Sequence, residues 1–161
     1  MTVTGKDKLQ LQSDHSSLGV ARAAWTAALK KVEADPIANI RHAVIGKDPK
    51  NEGNNLHVAE IPDRVANHVH MHGIEEYAVV QGEGTLYWGE VKELEKAFIV
   101  PYPEEPAFVK EGDSFNIPAG YAHQLKNEGR LHEPLVIIFS CPDSHLDNTQ
   151  DRFMLPPLAP Q

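Results

Sequence analysis

The chain has 161 residues, 41% of them hydrophobic and 24% charged, with a formal net charge of −8. That length and balance predict one domain with a real core, and no run is apolar enough for a membrane span. The acidic balance lacks the basic face that nucleic acid requires, so nucleic acid and membrane are excluded as partners and a small-molecule substrate is expected.

Residues 1–16 are polar and contain no apolar signal core. Cys141 is the single cysteine, so no internal disulfide forms and a reducing, cytoplasmic location is expected. Placed before Pro142 at the end of an apolar run, it reads as a buried structural thiol. Ser16 or Ser17 can cap a helix over residues 18–34. Leu18, Ala21, Trp25, Ala28, Leu29 and Val32 share one face of it. That face would cover either the mouth of the fold or a subunit surface.

From residue 40 strand patterns dominate. Residues 41–45 form one strand, and a polar turn follows over 46–55. Residues 56–61 alternate apolar and polar, which puts His57 on the solvent side. Pro62-Asp63 then turns the chain into His68-Val-His70-Met-His72-Gly-Ile-Glu75-Glu76-Tyr77. In an extended strand alternate side chains share a face, so the three histidines project together. After a bend, Glu75 or Glu76 returns to that side. Imidazoles and a carboxylate converging on one point suit a borderline divalent metal. Two registers are open: His68, His70 and Glu75, or His70, His72 and Glu76. Tyr77 lies two residues after Glu75 and points into the same cavity, as core filler or as a working phenol.

Gly82-Glu83-Gly84 is a tight turn, and residues 85–89 and 98–101 read as strands. Residues 92–96 form a solvated charged face. Residues 101–106 are too proline-rich for a central strand and read as a surface loop. A second half-site follows: Gly112, a short strand over 115–117, a reversal at Pro118 and Gly120, then His123 and Asn127. Residues 135–139 are a continuous apolar run suited to a strand buried on both faces. In the polar tail, His145 has no partner at metal spacing and reads as a non-ligand.

The two half-sites resemble the motifs of the cupin superfamily. His68, His70, Glu75 and Gly82 fit the first motif, and Gly112, Pro118, Gly120, His123 and Asn127 match the second at every position. The glycine expected six residues before His68 is Pro62 here. The carboxylate-to-Gly82 spacing favours the register with Glu75. One motif pair implies a single-domain cupin. The strand pattern itself predicts an all-β class. The resemblance implies a double-stranded β-helix, the jelly-roll barrel, with an N-terminal α-helix. Residues 1–39 would form an arm and helix, 40–142 the barrel and 143–161 a tail.

The resemblance further implies one divalent metal ion per chain (Mn, Fe, Ni, Co or Zn), held by His68, His70, Glu75 and His123. It also implies a homodimer. The order His68, His70, Glu75, Tyr77 is similar to that of cupin-type glucose-6-phosphate isomerases. A sugar-phosphate isomerase or epimerase is therefore the first expectation, with Glu76, Tyr77 or His72 moving the proton and Arg64, Lys92, Lys110 or Lys126 holding phosphate. A metal-dependent dioxygenase, a lyase and a non-catalytic sugar-binding cupin are the alternatives.

Overall fold

The computed structural model describes residues 17–129 and 133–161. Helix α1 spans Arg22–Leu29, shorter than the pattern over 18–34 suggests. Leu18 and Gly19 take left-handed backbone, with φ of 50° and 78°, and delay its start. At the other end Glu33–Asp35 is taken up as an edge strand, β1, which pairs with β2 (Ile40–Lys47). No side chain caps α1, and Ser16 lies outside the described residues.

Next come β3 (Asn54–Ile61) and the two-residue β4 (His68–Val69). β5 (Glu75–Gln81) and β6 (Glu83–Glu90) are joined at Gly82, whose φ of +83° suits a glycine. β7 (Lys92–Leu94) and β8 (Ala97–Ile99) make an exposed hairpin. β9 (Ala107–Lys110), β10 (Ser114–Ile117), β11 (Tyr121–Asn127) and β12 (Leu135–Pro142) complete the barrel. A 3₁₀ turn, Asp143–Leu146, and β13 (Phe153–Met154) end the ordered elements.

Apart from the β7-β8 hairpin, the strands form two antiparallel sheets, ordered β1-β2-β3-β12-β5-β10 and β13-β4-β11-β6-β9. Neighbours in space are mostly not neighbours in sequence, as a jelly roll requires. The main core lies between the sheets: Ala59, Ile61 and Val79 from the first meet Leu86, Trp88 and Leu125 from the second. Asn127 ties the second motif to the first. Its Nδ2 donates to the carbonyls of Ile61, Pro62 and Glu133.

Helix α1 covers neither the barrel mouth nor an open surface. Trp25 and Ala28 pack on Leu56, Val58, Val80 and Ile138, the outer face of the first sheet. This explains why seven of the eight residues of β12 are buried. It also corrects the expected placement of His57. With Leu56 and Val58 under the helix, His57 faces the barrel interior and is 1% exposed. Its ring stacks on Phe139 at 4.9 Å, and neither nitrogen has a hydrogen-bond partner. Burial pushes its pKa down to about 4.

Cys141 is a buried free thiol in β12. Residues 101–106 run over the surface and are anchored where Trp88 Nε1 donates to Glu105 O. The tail packs closely. β13 pairs with β4, and the N–H groups of Leu158 and Ala159 donate to Gln124 Oε1. No helix among the described residues is long and apolar enough to cross a membrane.

Candidate metal centre

The sheet register builds the site. β4 and β11 lie side by side with His68 directly opposite His123. His70 follows two residues after His68, just beyond the end of β4. The chain then bends, with Gly73 at φ +78°, and Glu75 opens β5 opposite Ile117. All four side chains are buried.

Backbone carbonyls fix how the imidazoles face. Nδ1 of His68 lies 2.7 Å from Ala66 O, Nδ1 of His70 lies 2.7 Å from Asp151 O, and Nδ1 of His123 lies 3.0 Å from Tyr121 O. A carbonyl only accepts, so each Nδ1 carries a proton and Nε2 is the nitrogen that each ring turns inward. The nitrogens of His68, His70 and His123 lie within 4.8 Å of one another. Glu75 Oε2 lies 2.8 Å from His70 Nε2 and 3.7 Å from His123 Nε2. His70 Nε2, His123 Nε2 and Glu75 Oε2 are buried without a hydrogen-bond partner. Acceptors gathered this closely with no donor between them repel one another unless a cation lies among them. Atoms bound at about 2.1 Å to one ion and at right angles stand about 3 Å apart, so these contacts fit a divalent metal.

The charge states of His68, His123 and Glu75 agree. Burial, reinforced by His123 and His70, holds His68 well below its usual range. Burial takes His123 down to about 4. For Glu75 burial acts upward, but the facing His70 imidazole, with His145 and His123 beside it, outweighs burial and holds the carboxyl well below its usual range. His70 differs: burial lowers it, but the Glu75 carboxylate outweighs burial and raises it, which favours a second proton held against Glu75 when no cation is bound. A metal would take that proton's place, since neutral imidazole and ionised carboxylate are the forms that bind it. Tyr77 donates its hydroxyl to Glu75 Oε1 at 2.5 Å. Burial and the Glu75 charge push this phenol well above 10, so it stays protonated.

His72 and Glu76 are not brought to this point. The strand ends before His72, which is exposed and contributes only backbone. Its N–H donates to Asp151 Oδ2 and its carbonyl accepts from His145 Nε2. Glu76 lies on the face of β5 opposite Glu75 and accepts from Asn51 Nδ2 at 3.1 Å. None of the four cations considered for phosphate lines the cavity. Arg64 Nη1 donates to Pro160 O, Lys92 pairs with Glu90, Lys126 pairs with Glu128, and Lys110 is exposed.

Three residues of the tail reach the site instead. His145 is 2% exposed and stacks on His70, with centroids 3.9 Å apart and planes 2° apart. Asp151 accepts from the N–H groups of Met71 and His72 and so clamps the bend after His70. Arg152 is buried in the cavity wall. Its Nη1 donates to Asp35 Oδ2 at 2.6 Å and its Nε to Asn148 Oδ1 at 2.5 Å. No spacing rule finds these residues. The signal available was the tail's apolar content, with Leu146, Phe153, Met154, Leu155 and Leu158 among its polar residues.

The cluster closes one end of a cavity of about 40 Å³. At roughly 10–15 Å³ per water on this measure, it holds only a few waters. Ile40, Val65, Leu86, Phe115, Phe139 and Leu146 supply most of its wall.

The sequence profile of the auxin binding protein family matches residues 55–159, more than half of the chain. The chain belongs to this family. It is therefore a member of the cupin superfamily. No curated protein matches the sequence. Among solved structures, CapF of Staphylococcus aureus, a capsular polysaccharide assembling protein, is similar at 22% identity and a TM-score of 0.58, over 78% of this chain and 32% of that one. An oxalate decarboxylase of Lactobacillus farciminis, solved as a formate complex, is similar at 17% identity and a TM-score of 0.51, over 79% and 34%. A Bacillus subtilis oxalate decarboxylase described for its Mn(II) centres gives 14% identity and a TM-score of 0.50, over 76% and 29%. This family member spans about a third of the length of those proteins. At such identities the likeness shows the fold, and the fold is the cupin barrel that the two motifs implied.

Proposed function

We propose that this cupin is a metal-dependent dioxygenase acting on a small oxygenated organic molecule. The observation that carries the reading is the cavity. Buried lone pairs converge at one end of it, the wall is apolar, and no side chain is left to act as a base. His68, His70, His123 and Glu75 are committed to the cation, and Tyr77 is a protonated donor to Glu75. His145 is turned onto Glu75, and Arg152 is a cation.

When bound, an iron or manganese ion would supply open coordination positions and a redox-active centre, the electrons that reduce O2 coming from the substrate. The chain supplies the rest. The three Nδ1–carbonyl hydrogen bonds hold the imidazoles in the ligating tautomer. Tyr77 occupies the outer oxygen of Glu75 and leaves the inner one free. The apolar wall excludes water from the reacting atoms, and Arg152 offers a fixed positive charge in that wall. Both atoms of O2 enter the product, so the substrate is the only reductant required.

The sugar-phosphate isomerase or epimerase suggested by the motif keeps His68, His70, Glu75 and Tyr77 in its favour. Two parts that such a reaction needs are not free among the described residues: the cation that lines the cavity, Arg152, is engaged by Asp35 and Asn148, and no base stands ready to move a carbon-bound proton. A lyase that uses Tyr77 as base meets the same objection. The same lack of a base favours a second reading, ligand binding without turnover, in keeping with the binding role in the family's description.

The test is oxygen uptake by protein loaded anaerobically with Fe(II), across small organic acids, β-diketones and catechols. Substrate-dependent uptake, absent in His123→Ala, is expected. Solvent deuterium entering sugar phosphates without oxygen uptake would restore the isomerase. Saturable binding with neither reaction would establish the binding protein.

A further inference from the structure

We propose that His145, supplied by the C-terminal tail, is a fifth ligand of the metal through Nδ1. The assignment rests on the reading that His68, His70, Glu75 and His123 hold an ion, and it changes how many positions that ion keeps open.

The argument starts from the proton on His145. Nε2 lies 2.6 Å from His72 O, and a carbonyl can only accept. Nε2 therefore carries a hydrogen, and Nδ1 is the ring nitrogen left to present a lone pair. That Nδ1 is buried without a hydrogen-bond partner and lies 3.4 Å from Glu75 Oε2. Two bare acceptors at this distance need a cation between them. The same requirement arises at His70 Nε2, 2.8 Å from the same oxygen. The stacked rings of His70 and His145 thus aim both bare nitrogens at one carboxylate oxygen. The donor atoms of His70, Glu75 and His145 lie within 4.8 Å of one another, as close a set as His68, His70 and His123.

The surroundings hold His145 in this pose. The 3₁₀ turn that follows β12 carries it back over the barrel end. The His72 carbonyl takes the Nε2 hydrogen, the kind of outer hydrogen bond that orients a ligating histidine, and the Asp151 carboxylate lies 3.6 Å from the same nitrogen as a nearby negative charge. Gly73 makes room for the ring. A Cβ there would lie 3.4 Å from His145 Nε2 and 3.2 Å from Pro142 Cγ, on backbone at φ +78°. With four imidazoles and one carboxylate, an octahedral ion keeps one free position where the expected ligand set leaves two. A substrate then binds the ion through one oxygen atom, and the apolar wall and Arg152 orient the rest of it.

The experiment uses Co(II), whose visible d–d bands intensify as coordination number falls. X-ray absorption on Co(II)-loaded wild-type protein counts imidazoles directly and needs no variant. Four are expected. His145→Phe keeps a flat ring against His70 and removes Nδ1. With circular dichroism unchanged, its visible bands should intensify and its Co(II) affinity should fall roughly tenfold or more. Three imidazoles in wild type, or a folded variant with the wild-type spectrum and affinity, overturns the assignment while leaving the metal reading intact. Wild-type protein that takes up no Co(II) overturns both.

Discussion

At the scale of single residues, His57 and Tyr77 give the cleanest tests because neither is a ligand. His57 has a folded pKa of about 4 against 6.5 for a free imidazole. Between those values the unfolded chain binds the extra proton, so stability falls as pH drops from 6.5 to 4 and is unaffected above. The loss is about 2 kcal/mol at pH 5 relative to pH 7. In His57→Phe that contribution disappears. Urea midpoints of wild type and variant, measured at both pH values, should therefore diverge by about this amount, and parallel curves would refute the assignment. Tyr77→Phe removes the donor to Glu75 Oε1 and should weaken metal binding by roughly tenfold with little change in fold. An unchanged affinity by competition with a chromophoric chelator would show that the hydrogen bond does not tune the carboxylate. The residues legible in the sequence were those that local spacing brings together. His68 and His70 lie two apart, and His123 belongs to a second motif with its own turn residues. His57 misled because alternation shows which residues share a face and not which face is covered. His145 was illegible because its partners, Glu75 and His70, lie 70 and 75 positions earlier in the chain.

At the scale of elements, the helix and the bend after β4 have separable duties. Helix α1 packs on the sheet face that points away from the site. Trp25 is 3% exposed and has Arg22 over its ring at 5.2 Å. Trp25→Ala should cost about 3 to 5 kcal/mol in urea unfolding. It should leave metal affinity unchanged, because Trp25 and Ala28 pack on the outer face of the sheet. A loss of metal in the folded variant would show that the two faces of the first sheet are coupled. The bend behaves in the opposite way. Gly73→Ala places a side chain on left-handed backbone and against Pro142 and His145. It should cost about 1–2 kcal/mol from the backbone alone and also weaken the metal, as read by melting temperature and chelator competition on the same sample. The apolar stripe over residues 18–34 was a sound sign of a helix, but amphipathic spacing does not register the left-handed Leu18 and Gly19 or the pairing that claims Glu33–Asp35. Strand order was legible only through the family resemblance, since the long-range pairings of a jelly roll leave no local trace.

At the scale of the whole molecule, the site joins parts that are distant in the chain. His68 and His123 come from one sheet, Glu75 from the other, and Asp151 and Arg152 from the tail, where Arg152 also reaches back to Asp35 on β1. A cation among these side chains binds only the folded arrangement, so its binding free energy adds to stability by mass action. At a free metal concentration one hundred times Kd the gain is about 2.7 kcal/mol. For a domain of this size each kcal/mol moves the melting temperature by roughly 2–4 °C, so a rise on the order of 5–10 °C is expected over chelator-treated protein. His123→Ala removes one ligand and should show almost none of this rise, while Trp25→Ala, although less stable, should show all of it. A wild-type melting temperature that ignores both chelator and added Mn(II), Fe(II) or Co(II) would mean that the converging lone pairs are not joined by a metal. The repulsion among them would then have to be relieved by protons, and melting would depend steeply on pH where metal had no effect.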